Sequence, residues 1–281
     1  MAEPASQAKS SDLGTRVLSA IVLAPLALAI AWIGGWPFAA LIGAASIAMA
    51  VELSWLLPGG QRRESICLAI CAVAAVALTA ADLAGVALIV GAAGLCLSLA
   101  IRLWRGEPLW AAFLAYPYLV IPVISIVWLR SDPNLGRAVI FWLLGTVWAI
   151  DTFAYFTGRT IGGPKIWPRL SPKKTWAGLI GGMGGAAMVG AASAYLLDLG
   201  TGTAIVLALL GLPFAAIEQA GDFGESALKR RAGVKDSGKL IPGHGGILDR
   251  VDGLVAVATG AALLSLLHGG TSAGAGVLIW F

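Results

Sequence analysis

Leu109-Trp-Ala-Ala-Phe-Leu-Ala-Tyr-Pro-Tyr-Leu-Val-Ile-Pro-Val-Ile-Ser-Ile-Val-Trp-Leu129 carries no charged side chain along its whole length. An α-helix rises about 1.5 Å per residue, so a stretch like this can cross a hydrocarbon core about 30 Å thick. Arg102 and Arg105 precede it, Arg130 and Arg137 follow it, and the same alternation repeats along the chain. Apolar runs fall at about 17–33, 36–57, 66–81, 83–101, 109–129, 138–156, 177–197, 203–220 and 254–268. The expected fold is an all-α, polytopic integral membrane protein with about nine transmembrane helices.

Composition agrees. Of 281 residues, 58% are hydrophobic and only 12% charged, and mean hydropathy is +0.86. A soluble domain carries about 25% charged residues; this chain could not cover a surface with polar groups, so lipid must be its solvent. Lys9 and Arg16 precede the apolar run Val17 to Ile33, which gives the N-terminus the look of a secretory signal. That run exceeds the usual apolar segment of about 7–15 residues, and Trp-rich apolar sequence follows directly, so it reads as a retained first helix. Cys67, Cys71 and Cys96 lie inside apolar runs with no CxxC or Cys/His cluster, and they read as small hydrophobes.

The basic residues sort by side. With nine crossings and a cytoplasmic N-terminus, seventeen of the nineteen Lys and Arg residues fall on the cytoplasmic side, as the positive-inside bias requires. The expected location is the cell (inner) membrane, with the N-terminus and the two longest polar loops cytoplasmic. The chain divides into an N-terminal set of about five spans, 1–137, and a C-terminal region, 138–281, with polar loops at 157–176 and 221–253 that hold the candidates for chemistry.

The second loop holds five carboxylates, six bases, one histidine and seven glycines between Gly221 and Asp252. Orientation alone would need the bases and not the acids. Carboxylates suit a hard cation, Lys and Arg suit phosphate oxygens, and Gly lets backbone N–H groups approach an anion. Asp222 and Asp249 stand at opposite ends of this loop, and folding it back would bring them together. Asp249 and Asp252 share a face if the last helix starts there. Glu218, one turn before Asp222, and Glu225 complete the candidate metal set with Asp222, Asp249 and Asp252. His244, between two glycines, is a candidate phosphate contact or acid/base, or simply a loop residue; His268 reads as a plain helix-end residue. The first loop offers Asp151 and Tyr155, then Ser171-Pro-Lys-Lys-Thr-Trp176, which looks like a phosphate-grasping turn. Ionisable groups within apolar runs are expensive, which marks Asp151, Glu218 and Glu52 as functional candidates; Glu52 has no obvious partner in the sequence.

Ser226-x-Leu-Lys-Arg230, Lys235-Asp236 and Pro242-Gly-His-Gly-Gly-Ile-x-Asp-Arg-Val-Asp252 together resemble the phosphatidate cytidylyltransferase (CDP-diacylglycerol synthase) family. Asp151-x-x-Ala-Tyr-x-x-Gly-Arg159 and Ser171-Pro-Lys-Lys-Thr-Trp-x-Gly178 are similar to it as well. One departure is Ala177, where family members commonly carry Glu, which removes the case for an essential acid there. The resemblance implies that CTP and phosphatidate give CDP-diacylglycerol and pyrophosphate with Mg²⁺, and that a second, monovalent cation such as K⁺ can sit nearby. It implies metal binding by Asp222 and Asp249, a homodimer, and a setting among membrane lipid with no nucleic-acid partner. On this reading Asp222, Asp249, Lys235, Asp236, His244 and Arg250 are the catalytic candidates. Asp151, Tyr155, Ser171, Lys173, Lys174, Thr175, Trp176, Ser226, Lys229 and Arg230 are the substrate-binding ones.

Two other readings stay open. A CTP-dependent lipid kinase acting on a polyprenol-type alcohol would use similar groups but attack the γ-phosphorus. An anion transporter would make Gly181-Gly-x-Gly-Gly185 a broken helix or a close-packing stripe. A CDP-alcohol phosphotransferase lacks support, because its Asp-Gly-x-x-Ala-Arg opening is missing. Asp249→Asn is expected to abolish turnover while membrane insertion, followed by fractionation, stays intact; near-normal turnover would remove Asp249 from the metal ligands.

Overall fold

The computed structural model describes residues 21–59, 62–240 and 245–281. Among them eight helices are long and apolar enough to cross a membrane. They are α2 (Gly35–Leu56), α3 (Arg62–Ala80), α4 (Ala84–Arg105), α5 (Trp110–Arg130), α6 (Gly136–Thr160), α7 (Trp176–Leu196), α8 (Gly200–Arg231) and α9 (Leu248–His268). A shorter apolar helix, α1 (Ile21–Ile33), precedes them; the expected first span begins outside the described residues. A two-stranded hairpin, β1 (Lys165–Trp167) and β2 (Ser171–Thr175), joins α6 to α7, and a short α10 (Ala275–Leu278) closes the chain. The protein is thus a polytopic helical membrane protein carrying one small β element that the hydropathy pattern does not show.

The third and fourth apolar runs are parted at Asp82, whose φ of 61° breaks the helix. Aspartate tolerates the left-handed region better than most residues, so two spans can be joined by very few residues. The second polar loop needs a larger correction. α8 does not stop near residue 220 but continues to Arg231, and α9 begins at Leu248, so much of the stretch read as loop is helix. At about 1.5 Å per residue a helix of this length is nearly 50 Å long and outruns a core of about 30 Å. Its acidic and basic end therefore stands at the membrane surface as helix. Lys229, Arg230 and Arg231 in the last turn suit the negative end of the helix dipole.

α6, α7 and α8 pack through glycines. A Cβ on Gly182 would stand 3.2 Å from the Ile150 carbonyl oxygen, and one on Gly185 would stand 2.9 Å from that of Ala149. A Cβ on Gly211 would lie 2.6 Å from the backbone of Ala186 and Ala187. α7 is unbroken through Gly181–Gly185, so that stripe is a packing surface, as expected where helices associate without a hydrophobic driving force.

Elsewhere, polar side chains pin helix ends. Arg102, 2% exposed, donates to the Pro58 carbonyl (3.0 Å) and the Pro108 carbonyl (3.2 Å) and pairs with Glu64, which ties two turns together. At the opposite end Arg130 donates to the carbonyls of Ala31 (2.7 Å) and Trp32 (2.8 Å), and the Arg137 guanidinium lies 4.2 Å over the Trp32 ring. The last apolar residues fold back as expected of a stretch too short to cross, and His268 stacks on Trp280 with ring centroids 3.9 Å apart. Asp132 accepts the Leu135 (2.8 Å) and Gly274 (2.7 Å) amides. Burial raises its carboxyl, but these N–H bonds outweigh it and hold the group below its ordinary range.

Gly211→Val should overpack the α7–α8 contact at a cost of about 1–3 kcal/mol. Thermal unfolding in detergent checks this: the midpoint should fall, and an unchanged midpoint would mean that the glycine contact does not hold the pair.

Candidate active site

The polar ends of α2, α6, α8 and α9 meet at one end of the bundle, where the hairpin folds over them. Asp222, Glu225 and Asp252 each offer a carboxylate oxygen, and these oxygens lie within 4.8 Å of one another. Asp222 and Glu225 are about one turn apart on α8, and Asp252 is on the first turns of α9, so a helix pair builds the cluster. Glu225 is fully buried, at 0% exposure. Its Oε2 accepts from Lys229 Nζ at 2.5 Å, while its Oε1 finds no partner among the described residues. A buried carboxylate oxygen without a partner is costly, and three converging oxygens are the donor type that a hard divalent cation prefers. The residues fit such an ion.

Asp249 sits differently from the sequence expectation. It is not in the three-acid cluster. Its Oδ1 accepts from Lys229 Nζ at 2.8 Å, and its Oδ2 accepts the Ser237 and Gly246 amides, both at 2.9 Å. In the first turn of α9 a carboxylate satisfies free N–H groups and favours the helix dipole, which is why this position holds an acid locally. Asp222 and Asp249 therefore do not share one ligand cluster; Lys229 links their neighbourhoods by bridging Glu225 and Asp249. Lys229, expected to contact substrate, is half-buried between these two acids.

The hairpin delivers the remaining charge. Its turn is closed by the Leu170 amide on the Trp167 carbonyl (3.1 Å), and its strands pair Lys165 with Thr175 and Trp167 with Ser171. Lys174 at its end forms an ion pair with Asp222 and lies 5.4 Å over the Phe223 ring. Trp167 touches the same ring, with centroids 6.0 Å apart. Thr175 was expected among the phosphate-grasping residues. It is buried, and its hydroxyl accepts the Gly178 amide at 3.0 Å, so it caps α7, the role for which threonine suits this position. A cleft of about 190 Å³ opens between α6, β2, α7 and α8, lined by Asp151, Tyr155, Lys173, Lys174 and Glu218. Glu218 is 4% exposed and lies within electrostatic reach of Lys174, Asp151, Asp222 and Asp252.

The other candidates are more peripheral. Ser226 donates to Asp222 at 3.3 Å. Tyr155 accepts from Arg159 at 3.0 Å on an exposed face. Arg230 donates to the Val234 carbonyl (3.4 Å); Lys235, Asp236 and Arg250 are exposed on the short loop and the first turn of α9, Ser171 is half-buried and Trp176 exposed. His244 lies outside the described residues. Glu52 is the residue whose role the sequence left open: its carboxylate accepts from the Ile247 amide (3.0 Å), the Leu248 amide (2.8 Å) and the Ser237 hydroxyl (3.1 Å). An acid inside an apolar run was the available signal, but its partners lie almost 200 positions away. Phe223, also missed, carries no signal beyond being one more aromatic.

A sequence model described as the cytidylyltransferase family matches residues 14–268. The chain belongs to the cytidylyltransferase family. It is 40% identical over 259 residues, 91% of this chain and 93% of the relative, to a protein of Brucella abortus biovar 1 (strain 9-941) named phosphatidate cytidylyltransferase. It is 37% identical over 163 residues to one of that name from Haemophilus influenzae, covering 55% of this chain and 57% of the relative. It is 43% identical over 129 residues to one from Thermotoga maritima, covering 44% and 48%. The chain is thus a nucleotidyltransferase embedded in a membrane, and cytidylyl transfer of this kind generally needs a divalent metal ion. Glu225→Gln removes one charge from the three-acid cluster without changing its size. It should weaken divalent-ion affinity about 10–100-fold, read both as a raised metal requirement for turnover and as weaker Mn²⁺ binding by electron spin resonance. Unchanged Mn²⁺ binding would place the ion elsewhere.

Proposed function

We infer that the chain is a phosphatidate cytidylyltransferase: CTP and phosphatidate give CDP-diacylglycerol and pyrophosphate. The observation that carries the chemistry is the carboxylate cluster of buried Glu225 with half-buried Asp222 and Asp252, flanked by Lys174 on one side and Lys229 on the other. Both substrates are polyanions, so bringing them together demands cations of two kinds. Lysines answer part of this demand. The surplus of carboxylates over lysines in the same place is explained if a bound ion supplies the rest.

We propose Mg²⁺ as that ion, held by Asp222, Glu225 and Asp252, with Glu218 and Asp249 in support and a second, monovalent cation such as K⁺ nearby. When bound, it neutralises phosphate oxygens and polarises the reacting phosphate. A phosphate oxygen of phosphatidate, already ionised near neutral pH, bonds to the α-phosphorus of CTP. The bond from that phosphorus to the oxygen bridging to the β-phosphate breaks, and pyrophosphate leaves with the electron pair. No general base is required, which agrees with a site built from carboxylates and lysines. Lys173 and Lys174 on the hairpin are positioned to hold phosphate oxygens where the cleft opens, and their point charges suit that task. A cleft of about 190 Å³ is smaller than a usual ligand pocket of about 300–1,000 Å³, so it fits a phosphate group and leaves the rest of each substrate outside.

The position of the site at the end of the bundle supports a division of labour. Acyl chains remain in lipid while the nucleotide arrives from water, which we propose to be the cytoplasm of a cell whose inner membrane holds the protein. Region 138–281 is the proposed catalytic half. A homodimer is the proposed assembly, and mass measurement in detergent tests it.

The deciding assay gives purified protein Mg²⁺, phosphatidate and CTP labelled at either the α- or the γ-phosphate. Label should enter lipid from the α position only. Label from γ alone would make the chain a lipid kinase, and no transfer by folded protein would revive anion transport.

A further inference from the structure

Glu52 sits in α2, in the half of the chain that the sequence reads as a string of spans, yet its carboxylate ends among the catalytic residues. It is 6% exposed. One oxygen accepts the Ile247 amide at 3.0 Å, and the other accepts the Leu248 amide at 2.8 Å and the Ser237 hydroxyl at 3.1 Å. Ile247 and Leu248 are the entry to α9, whose first N–H groups have no partner within the helix. Glu52 therefore caps α9 from another helix.

Asp249 holds the same two chain segments from the other side, through the Ser237 and Gly246 amides, both at 2.9 Å. Two carboxylates thus clamp Ser237 to the start of α9. The backbone is shaped around this clamp. A Cβ on Gly238 would stand 2.6 Å from Glu52 Oε1, and one on Gly246 would stand 2.6 Å from Glu52 Oε2. Both glycines leave room for the carboxylate, and Gly246 leaves room for the Ser237 hydroxyl as well. Because Asp249 also binds Lys229 at 2.8 Å, and Lys229 binds Glu225 at 2.5 Å, a shift of the clamp is passed to the acid cluster through two short, charged contacts.

We propose that Glu52 is a positioning residue for cytidylyl transfer: it fixes Ser237 and the first turn of α9, and so sets the placement of Asp249, Lys229 and Glu225. The inference rests on the reading of the reaction given above. Glu52 itself touches no substrate. Its effect is on geometry, and misplacing a catalytic array by about 1 Å costs about 100-fold.

The test uses the full chain in detergent with α-labelled CTP. Glu52→Gln puts an amide NH₂ against backbone donors. It should lower kcat about 100-fold while KM for CTP moves less than about 3-fold and the thermal midpoint stays near that of the parent. Hydrogen exchange at the Ile247 and Leu248 amides should accelerate. Glu52→Asp keeps the carboxylate but withdraws it by one methylene, and should recover part of the rate. Gly238→Ala should be harmful alone and less harmful in the Glu52→Asp background, where the withdrawn carboxylate leaves room for the methyl. The inference is overturned if folded Glu52→Gln protein keeps kcat within about 3-fold of the parent. It is also overturned if rate loss merely follows the fraction folded, or if the effects of Gly238→Ala and Glu52→Asp simply multiply. Should Glu52→Gln not fold, that double-variant comparison decides by the same criterion. If the parent itself transfers no α-label, the reading of the reaction has failed instead, and exchange still judges the clamp: unaltered exchange at Ile247 and Leu248 in Glu52→Gln overturns it.

Discussion

Lys229 lies between Glu225 and Asp249, at 2.5 and 2.8 Å, and joins α8 to α9 where both leave the apolar part of the bundle. A fully buried carboxylate such as Glu225 must be compensated, because removing an ion from water costs several kcal/mol even after relaxation. One ammonium compensates only part of the charge gathered there. The chain therefore carries, at one end of an otherwise apolar bundle, a place that stays electrostatically incomplete until cations arrive. On the proposed reading a divalent metal ion supplies the missing positive charge, and the same imbalance that makes the carboxylates costly to bury favours its binding.

That arrangement depends on helices approaching unusually closely. The glycines of α7 let it settle against α6 on one side and α8 on the other, with carbonyls where side chains would otherwise stand. Close approach brings Asp151 in the second half of α6 beside Glu218 on α8, and lets the short hairpin reach across to set Lys174 on Asp222. In lipid, where apolar side chains gain nothing by leaving the solvent, this packing and the few charged contacts at the helix ends carry the association.

Much of the candidate site could be read from the sequence as residue types, and rather little as geometry. Asp222, Glu225 and Asp252 were recognisable because acids interleaved with bases and glycines have no purpose in a loop that only sets orientation. The candidate set was wider, taking in Glu218 and Asp249, and which three converge was not recognisable, since α8 continues as helix to Arg231 through residues polar enough to pass for loop. A helical continuation puts Asp222 and Glu225 on one face, whereas a flexible loop would have placed Asp222 against Asp249. Thr175 looked like a phosphate contact because a hydroxyl beside two lysines suits phosphate; as the last residue before a helix, it caps instead.

What the sequence determined by itself is the solvent, the number of crossings to within the first apolar run, the stretches between crossings where acids and bases gather and the kind of chemistry they can do. These follow from local properties: run length, charge and spacing along one chain. Only the tertiary structure decided which acids share a ligand cluster, that Lys229 bridges two of them, and that Glu52 reaches the entry of α9. Each of those is a contact between distant segments, set by how closely helices pack and where they end. Partner choice of this kind is a property of the packed bundle and leaves no periodic mark on the chain.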